Sequence, residues 1–237
     1  MFFYKRAYRR SKIVFTVSNF SKSRIEYHLG TKKPVIVTYD ALLPYLRESA
    51  IRPKKTKTIL FVGNIKKHKD LSTLMEAFFN ARGEGLTHKL VIVGNKDNFR
   101  SFDGAADAKI KESGGNAVEF TGFITDGELR NLLAGAALLV QPSLYEGFGI
   151  PPLEAMALGT RVLISDIPVF KEIYAGFPVT YFRAADAADL KEKMLKLLNM
   201  GNYQPLILPD HLLNKYTFNK TASVIIHAFA GESGIKP

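Results

Sequence analysis

The chain has 237 residues, 46% of them apolar, with no cysteine and a formal net charge of +11. This composition fits a globular protein and excludes a disordered or collagenous chain, a coiled coil, a disulfide scaffold, a thiolate metal site and a catalytic cysteine. The charge is uneven: residues 1–57 hold 14 of the 33 Lys and Arg but only three of the 22 acids, so the rest of the chain is neutral. A basic quarter of this kind faces something anionic, an absent partner, or plain solvent.

In chain order, Phe2, Phe3, Tyr4, Lys5, Arg6, Tyr8, Arg9 and Arg10 could form a helix with aromatic and cationic sides. The segment has neither the apolar core nor the cleavage site of a secretory signal, and the longest apolar runs fall far short of the roughly 20 residues that span a bilayer. A cytoplasmic protein is expected, with peripheral attachment at the inner membrane face as a further possibility. Lys12–Val17 reads as a strand, Asn19 or Ser21 caps a helix to His28, Gly30 stops it, and Pro34–Thr38 reads as a second strand. Two strands and a helix cannot bury a core of their own, so they join the main sheet or belong to a partial second domain. A linker is placed at 51–57, within a stretch rich in basic residues.

From Thr58 onward, short β-branched runs alternate with helical periodicity. Strands are predicted at Thr58–Gly63, Lys89–Gly94, Val118–Thr121, Ala137–Val140, Arg161–Ser165 and Pro178–Phe182. Helices are predicted at Asp70–Arg82, Asp126–Leu133, Gly149–Leu158, Val169–Tyr174 and Asp186–Leu198. The alternation predicts an α/β fold: a Rossmann-like parallel sheet with helices on both faces, plus a partial second domain.

Ligands of such sheets bind in the loops that follow the strands. The first loop, Gly63-Asn64-Ile65-Lys66-Lys67-His68-Lys69, offers a tight turn and cations before a helix; it is neither a P-loop nor a G-x-G-x-x-G fingerprint. The fourth runs from Gln141 to Glu154. Gly147 and Gly149 let the backbone approach a ligand, Pro151 and Pro152 suit a first helical turn, and the N–H groups of Phe148, Gly149 and Ile150 are left as donors. Glu146 and Glu154 stand eight apart. Glu76 and Glu84 share that spacing on an ordinary helix, so the loop context and not the spacing carries the signal. In the third loop a flat base could lie against Phe123 or Ile124, although a plain capped connection explains the same residues. No metal cluster, H-E-x-x-H or G-x-S-x-G motif is present.

The segments FVGNIKKHKDLSTLMEAF and VEFTGFITDGELRNLLAGAALLVQPSLYEGFGIPPLEAMALGTRVLISDIPVFKEI closely resemble the donor-binding half of glycosyltransferase family 4, of GT-B fold. IVFTVSNFSKSRI resembles the end of that family's first domain, and the stretch from Tyr216 its closing helix. The resemblance implies four parts: residues 1–50 as the remnant of the acceptor-side domain, the linker 51–57, a donor-binding domain at 58–215, and a helix at 216–237 crossing back. It implies transfer of a hexosyl group, with retention and without metal, from a UDP- or GDP-sugar to a polysaccharide or glycolipid. Lys69 would hold the donor diphosphate, Glu146 the donor-sugar hydroxyls, Phe148, Gly149 and Ile150 the sugar and phosphate, and Glu154 the ribose. Lys69 and Glu146 would be the catalytic pair; Gly63, Asn64, Phe123, Ile124 and Gly147 complete the expected donor site. No cofactor and no nucleic-acid partner is expected.

Many family members carry Arg where this chain has Asn64, so Lys66, Lys67 or His68 would have to compensate. The resemblance also implies that most of the acceptor domain is absent, so a non-catalytic nucleotide-sugar-binding module that needs a partner chain is the alternative. Residues 1–57 would then meet either that partner or an anionic membrane surface. A nucleotide-sugar epimerase of similar architecture is a third reading, which E-G-F-G with its glutamate pair disfavours.

Overall fold

The N-terminal residues form a small βαβ unit in a computed structural model that describes residues 2–30, 32–47, 54–94, 116–199 and 206–233. Residues 51–53 of the expected linker lie outside the described residues. Helix α1 (Phe2–Arg10) is followed by β1 (Val14–Thr16), α2 (Asn19–Leu29) and β2 (Val35–Val37). The two strands pair in parallel with Val14 opposite Val35. Ser18 caps α2, one residue before Asn19, with its Oγ accepting the Ser21 N–H at 3.0 Å. Asn19 is already helical, and its N–H goes to the Glu172 carboxylate instead. After a short helix α3 (Pro44–Arg47) the chain enters a second, larger sheet.

That sheet contains β3 (Thr58–Val62), β4 (Lys89–Val93), β5 (Val118–Phe120), β6 (Leu138–Gln141), β7 (Arg161–Ser165) and β8 (Thr180–Phe182). All six are parallel, in the order β5-β4-β3-β6-β7-β8. Among the described residues, α4 (Leu71–Gly83), α5 (Asp126–Gly135), α6 (Pro151–Ala157) and α7 (Pro168–Ile173) lie between these strands and α8 (Ala187–Asn199) follows the last of them. The chain finishes with α9 (Asp210–Leu213) and α10 (Phe218–Ser233).

Both faces of this sheet are covered, which is why its central strands read as unbroken apolar runs. Successive residues of β3 serve opposite faces. Ile59 and Phe61 join a core with Leu74 and Phe78 of α4 and Leu190 and Met194 of α8. Leu60 and Val62 join a second core with Leu139, Met156, Phe170 and Tyr174. In α4 the spacing of Leu71, Leu74, Met75, Phe78 and Ala81 puts one apolar stripe on the sheet. Each fully buried Leu or Phe of this kind contributes about 1.5–3 kcal/mol by leaving water.

As at α2, the starts of α5 and α6 differ from expectation. Thr125, not Asp126, caps α5: its Oγ1 accepts the Glu128 N–H at 3.3 Å, while Glu128 Oε2 accepts the Thr125 N–H at 2.7 Å. This reciprocal pair satisfies two donors, which an Asp126 cap would not do. Helix α6 starts at Pro151 and not Gly149, because Gly149 has φ +81° and cannot belong to a right-handed helix.

The small unit is fastened to the large one by side chains. Ser18 Oγ donates to Gly147 O at 2.6 Å, and Glu172 of α7 accepts the N–H groups of Asn19 and Phe20 at 2.7 and 2.8 Å. Helix α10 returns across the small unit, where Thr221 Oγ1 donates to Thr38 O at 3.2 Å and Phe229 meets Phe15 with ring centres 5.8 Å apart. Among the described residues no helix is long and apolar enough to cross a membrane.

Candidate active site

Strand β3 lies beside β6, yet from β3 the chain winds outward to β4 and from β6 the opposite way to β7. The loops after these two strands diverge and leave a crevice at the carboxyl edge, the place where open parallel sheets bind ligands. The sequence puts its two most unusual loops there. A backbone bond from Leu144 N–H to His68 O, 2.8 Å, ties them together.

Lys69 closes a 3-10 turn, Lys67–Lys69, that leads into α4. Its Nζ donates to Glu146 Oε1 at 2.6 Å, and the two side chains retain 16% and 9% of their exposure. The same oxygen accepts the Ser143 hydroxyl at 2.7 Å. Behind it, Gln141 Nε2 donates to Ser143 Oγ at 3.4 Å, while Gln141 Oε1 is buried without a hydrogen-bond partner. Sequence reasoning missed Gln141 and Ser143. The available signal was two polar residues, Gln141 and Ser143, at the carboxyl end of an apolar strand, where burial obliges polar groups to find partners, although which partners was not legible.

Gly63 stands next to this cluster, so close that a Cβ on it would lie 3.8 Å from Lys69 Cε. At Gly149 a Cβ would come within 2.4 Å of Phe170 Cε1, besides facing the strain of positive φ. The loop is held on both sides. Gly149 O accepts the hydroxyl of Tyr174, whose complete burial pushes its pKa well above the ordinary value, and Gly147 O accepts Ser18 Oγ. The Phe148 ring is part of the core, edge-on to Tyr216 at 5.1 Å, which leaves only its backbone for the crevice. Among the described residues no protein acceptor takes the N–H groups of Phe148, Gly149 or Ile150.

Glu154 sits in the first turn of α6, as buried as Glu146 but in a different environment. Desolvation raises its pKa, and the Asp126 carboxylate at the start of α5 adds a smaller push in the same direction. The Phe123–Ile124 turn comes just before Asp126, on this side of the crevice. Phe123 is 97% exposed and Ile124 half-buried. Asn64, Lys66, Lys67 and His68 are exposed around the first loop. The structure thus brings Gly63, Lys69 and Glu146 together, buries Glu154 at the start of α6 within reach of the Asp126 charge, and leaves Asn64 and Phe123 in solvent. Among the described residues no three His, Asp or Glu side chains gather where they could hold a metal ion.

The family model described as glycosyl transferases group 1 matches residues 45–206. An O-antigen chain mannosyltransferase, RfbU, of Salmonella typhimurium is 35% identical over 178 residues, covering 73% of this chain and 47% of the relative. The serotype-specific mannosyltransferase WbdA of Escherichia coli is 37% identical over 112 residues, 46% of this chain and 14% of that one. Among solved structures, a sucrose-phosphate synthase of Thermosynechococcus elongatus superposes with a TM-score of 0.76 at 17% identity, over 98% of this chain and 61% of its own. Anabaena HepE in complex with UDP and glucose gives 0.76 at 17% identity, over 94% of this chain and 64% of its own. The chain spans half or less of the curated relatives it matches, and the solved structures share its fold. With its six-stranded sheet and the loops at its switch point, the chain belongs to the group 1 glycosyl transferases.

Proposed function

We propose that the crevice binds a UDP- or GDP-sugar and that the protein transfers the hexosyl group, with retention and without a metal ion, to a polysaccharide or glycolipid acceptor. The observation that carries this reading is the Lys69–Glu146 pair at the switch point, 2.6 Å apart and largely buried. A diphosphate entering there takes the Lys69 ammonium as its charge-assisted donor. The N–H groups of Phe148, Gly149 and Ile150 bond sugar and phosphate oxygens. Glu146, still held by Ser143, accepts from sugar hydroxyls, and Glu154 accepts from the two ribose hydroxyls. Phe123 and Ile124 offer an apolar surface for the base.

In this mechanism the glycosidic bond to phosphate breaks as the acceptor oxygen attacks the anomeric carbon. Lys69 and the loop donors stabilise the negative charge that collects on the departing diphosphate. A phosphate oxygen takes the acceptor proton. The mannosyltransferase names of the relatives agree with a hexosyl donor. The domain boundaries at 51–57 and 216 belong to the same proposal, as does contact of residues 1–57 with an anionic membrane surface or a partner chain.

Calorimetry on the chain with UDP and GDP in EDTA tests the reading. Lys69→Ala is expected to weaken nucleoside diphosphate by roughly 1.5–3 kcal/mol, the size of a hydrogen bond to a charged group. Glu154→Ala weakens it as well, whereas Glu146→Ala acts mainly on the sugar-bearing donor. Equal losses of UDP or GDP affinity for the two glutamate variants contradict this division. The anomeric configuration of the product, read by NMR, tests retention.

A further inference from the structure

We infer that the cavity enclosed by α1, the C-terminal end of α2 and the Lys32–Lys33 turn is a phosphate-binding site, separate from the donor crevice. Its volume is about 370 Å³, and Lys5, Tyr8, Arg9, His28, Lys32 and Lys33 contribute to its wall. Among the described residues no carboxylate lines it, and no acidic side chain pairs with Lys5, Arg9, Lys32 or Lys33.

A cluster of cations next to helix ends has an ordinary explanation, since the free carbonyls of a helix C-terminus attract positive charge. Here Lys33 and Tyr8 are already spent on such carbonyls, and among the described residues Lys5, Arg9 and Lys32 make no bond to any of them. Lys33 Nζ donates to Arg9 O at 2.6 Å and also to Ser11 O, and the Tyr8 hydroxyl donates to Gly30 O at 2.6 Å. The Tyr8 ring is buried and lies 5.7 Å below the Lys33 ammonium, so this wall is fixed. Lys5, Arg9 and Lys32 are left facing one concave space with their charges unspent. Like charges held around a cavity repel one another unless an anion sits between them. A tetrahedral phosphate group, inorganic or esterified, meets that demand, with Arg9 able to grip two of its oxygens.

Two sources can supply such a group: a free phosphate or diphosphate, and the headgroup of a phospholipid. The cavity shares His28 and Leu29 with a mostly apolar groove of about 490 Å³ that reaches Tyr145, the neighbour of Glu146. The phosphate chemistry is the same in both cases and does not depend on the donor reading, since no residue of this wall belongs to the donor crevice.

The test uses the full chain in a Lys69→Ala background, so that phosphate binding in the donor crevice is weakened, and compares variants that leave that crevice untouched. Inorganic pyrophosphate is titrated calorimetrically, and sedimentation is measured with vesicles of phosphatidylglycerol and of phosphatidylcholine. Two triple variants are compared: Lys5→Ala with Arg9→Ala and Lys32→Ala, which strips the cavity, and Arg6→Ala with Arg10→Ala and Lys12→Ala, which removes equal charge from the same segment outside it. All six side chains are exposed, and unchanged thermal melting verifies that the fold survives. At roughly fivefold per well-placed cation, the first triple is expected to lose on the order of a hundredfold in affinity and the second much less. Pyrophosphate binding that follows this pattern identifies a free phosphate ligand. Binding to phosphatidylglycerol alone, with the same pattern, identifies a lipid headgroup. Binding of neither probe, or equal losses in the two triples, overturns the inference. Because UDP and GDP binding to the unaltered Lys69 chain is measured separately, failure here leaves the donor reading standing, and the reverse.

Discussion

The two sheets use the same βαβ construction and differ in how it is held together. In the large sheet, β3 has four of five residues buried and α4 buries six side chains against it. In the small unit, β1 has one buried residue and α2 has none. The first is stable because helices cover both faces of a six-stranded sheet. The second, with two strands, lays only a few apolar side chains such as Val17 and Phe20 on the main core and adds directed polar contacts: Glu172 on the N-terminal N–H groups of α2, Ser18 on Gly147, and Thr221 on Thr38. The comparison teaches that one element pattern can rest on apolar burial in one place and on a few hydrogen bonds to a neighbour in another.

The sharpest way to break the contrast is to cut each unit at its support. Phe78→Ala, in the fully buried face of α4, is expected to cost about 3–5 kcal/mol in urea unfolding, as removal of a core aromatic does. Ile25→Ala in α2 is expected to cost under about 1 kcal/mol, since its side chain is only half-buried. Gly149→Ala should come next, at about 2–4 kcal/mol, because the new Cβ collides with Phe170 and the backbone is left-handed. Thermal melting reads that loss, and a neutral result would show that α7 can give way.

Glu172→Ala is expected to cost roughly 1–3 kcal/mol by orphaning the N–H groups of Asn19 and Phe20. Its signature is local: amide exchange rises across α2 while β3 and β4 keep their protection. Uniform loss of protection would mean that the two units melt as one.

The smallest effect is a gain. The folded pKa of Glu154 is raised, so the fold binds its proton more tightly than the unfolded chain does, and the stability it contributes is lost as pH rises through the folded value. Glu154→Gln removes that loss. It is expected to raise the melting temperature at neutral pH and to leave it unchanged below the ordinary carboxylate range, while weakening UDP and GDP. A gain that persisted unchanged at low pH would assign the effect to packing and not to charge.

Much of the large sheet was legible in the sequence because buried parallel strands are short apolar runs with little else to confuse them. Strand ends were less so: the Pro178–Phe182 strand shortens to Thr180–Phe182, and the helix caps fell one residue away because Ser18, Asn19, Thr125 and Asp126 are all competent caps. Glu146 and Glu154 could be singled out from their loop context. Their unlike surroundings could not, since Glu154 owes its raised pKa to burial and to Asp126, 28 positions away in the chain. Nor could the Lys69–Glu146 contact be read, because its partners are separated by 77 positions and meet only if β3 and β6 are neighbours. The side chains of Gln141 and Ser143 escaped notice for a similar reason: hydrogen bonding beneath a loop depends on which oxygen ends up within reach.

The ion pair across the crevice has a consequence for how affinity responds to salt. On the proposed reading, Lys69 is already engaged when the nucleotide arrives, so binding is an exchange in which one anion displaces another from the same ammonium. Glu146 cancels the field of the lysine beyond the pair itself, so the empty crevice presents less net positive charge for salt to screen. The nucleotide affinity of this protein should therefore fall more gently with ionic strength than that of a crevice whose lysine waits alone, and Glu146→Gln should steepen the slope.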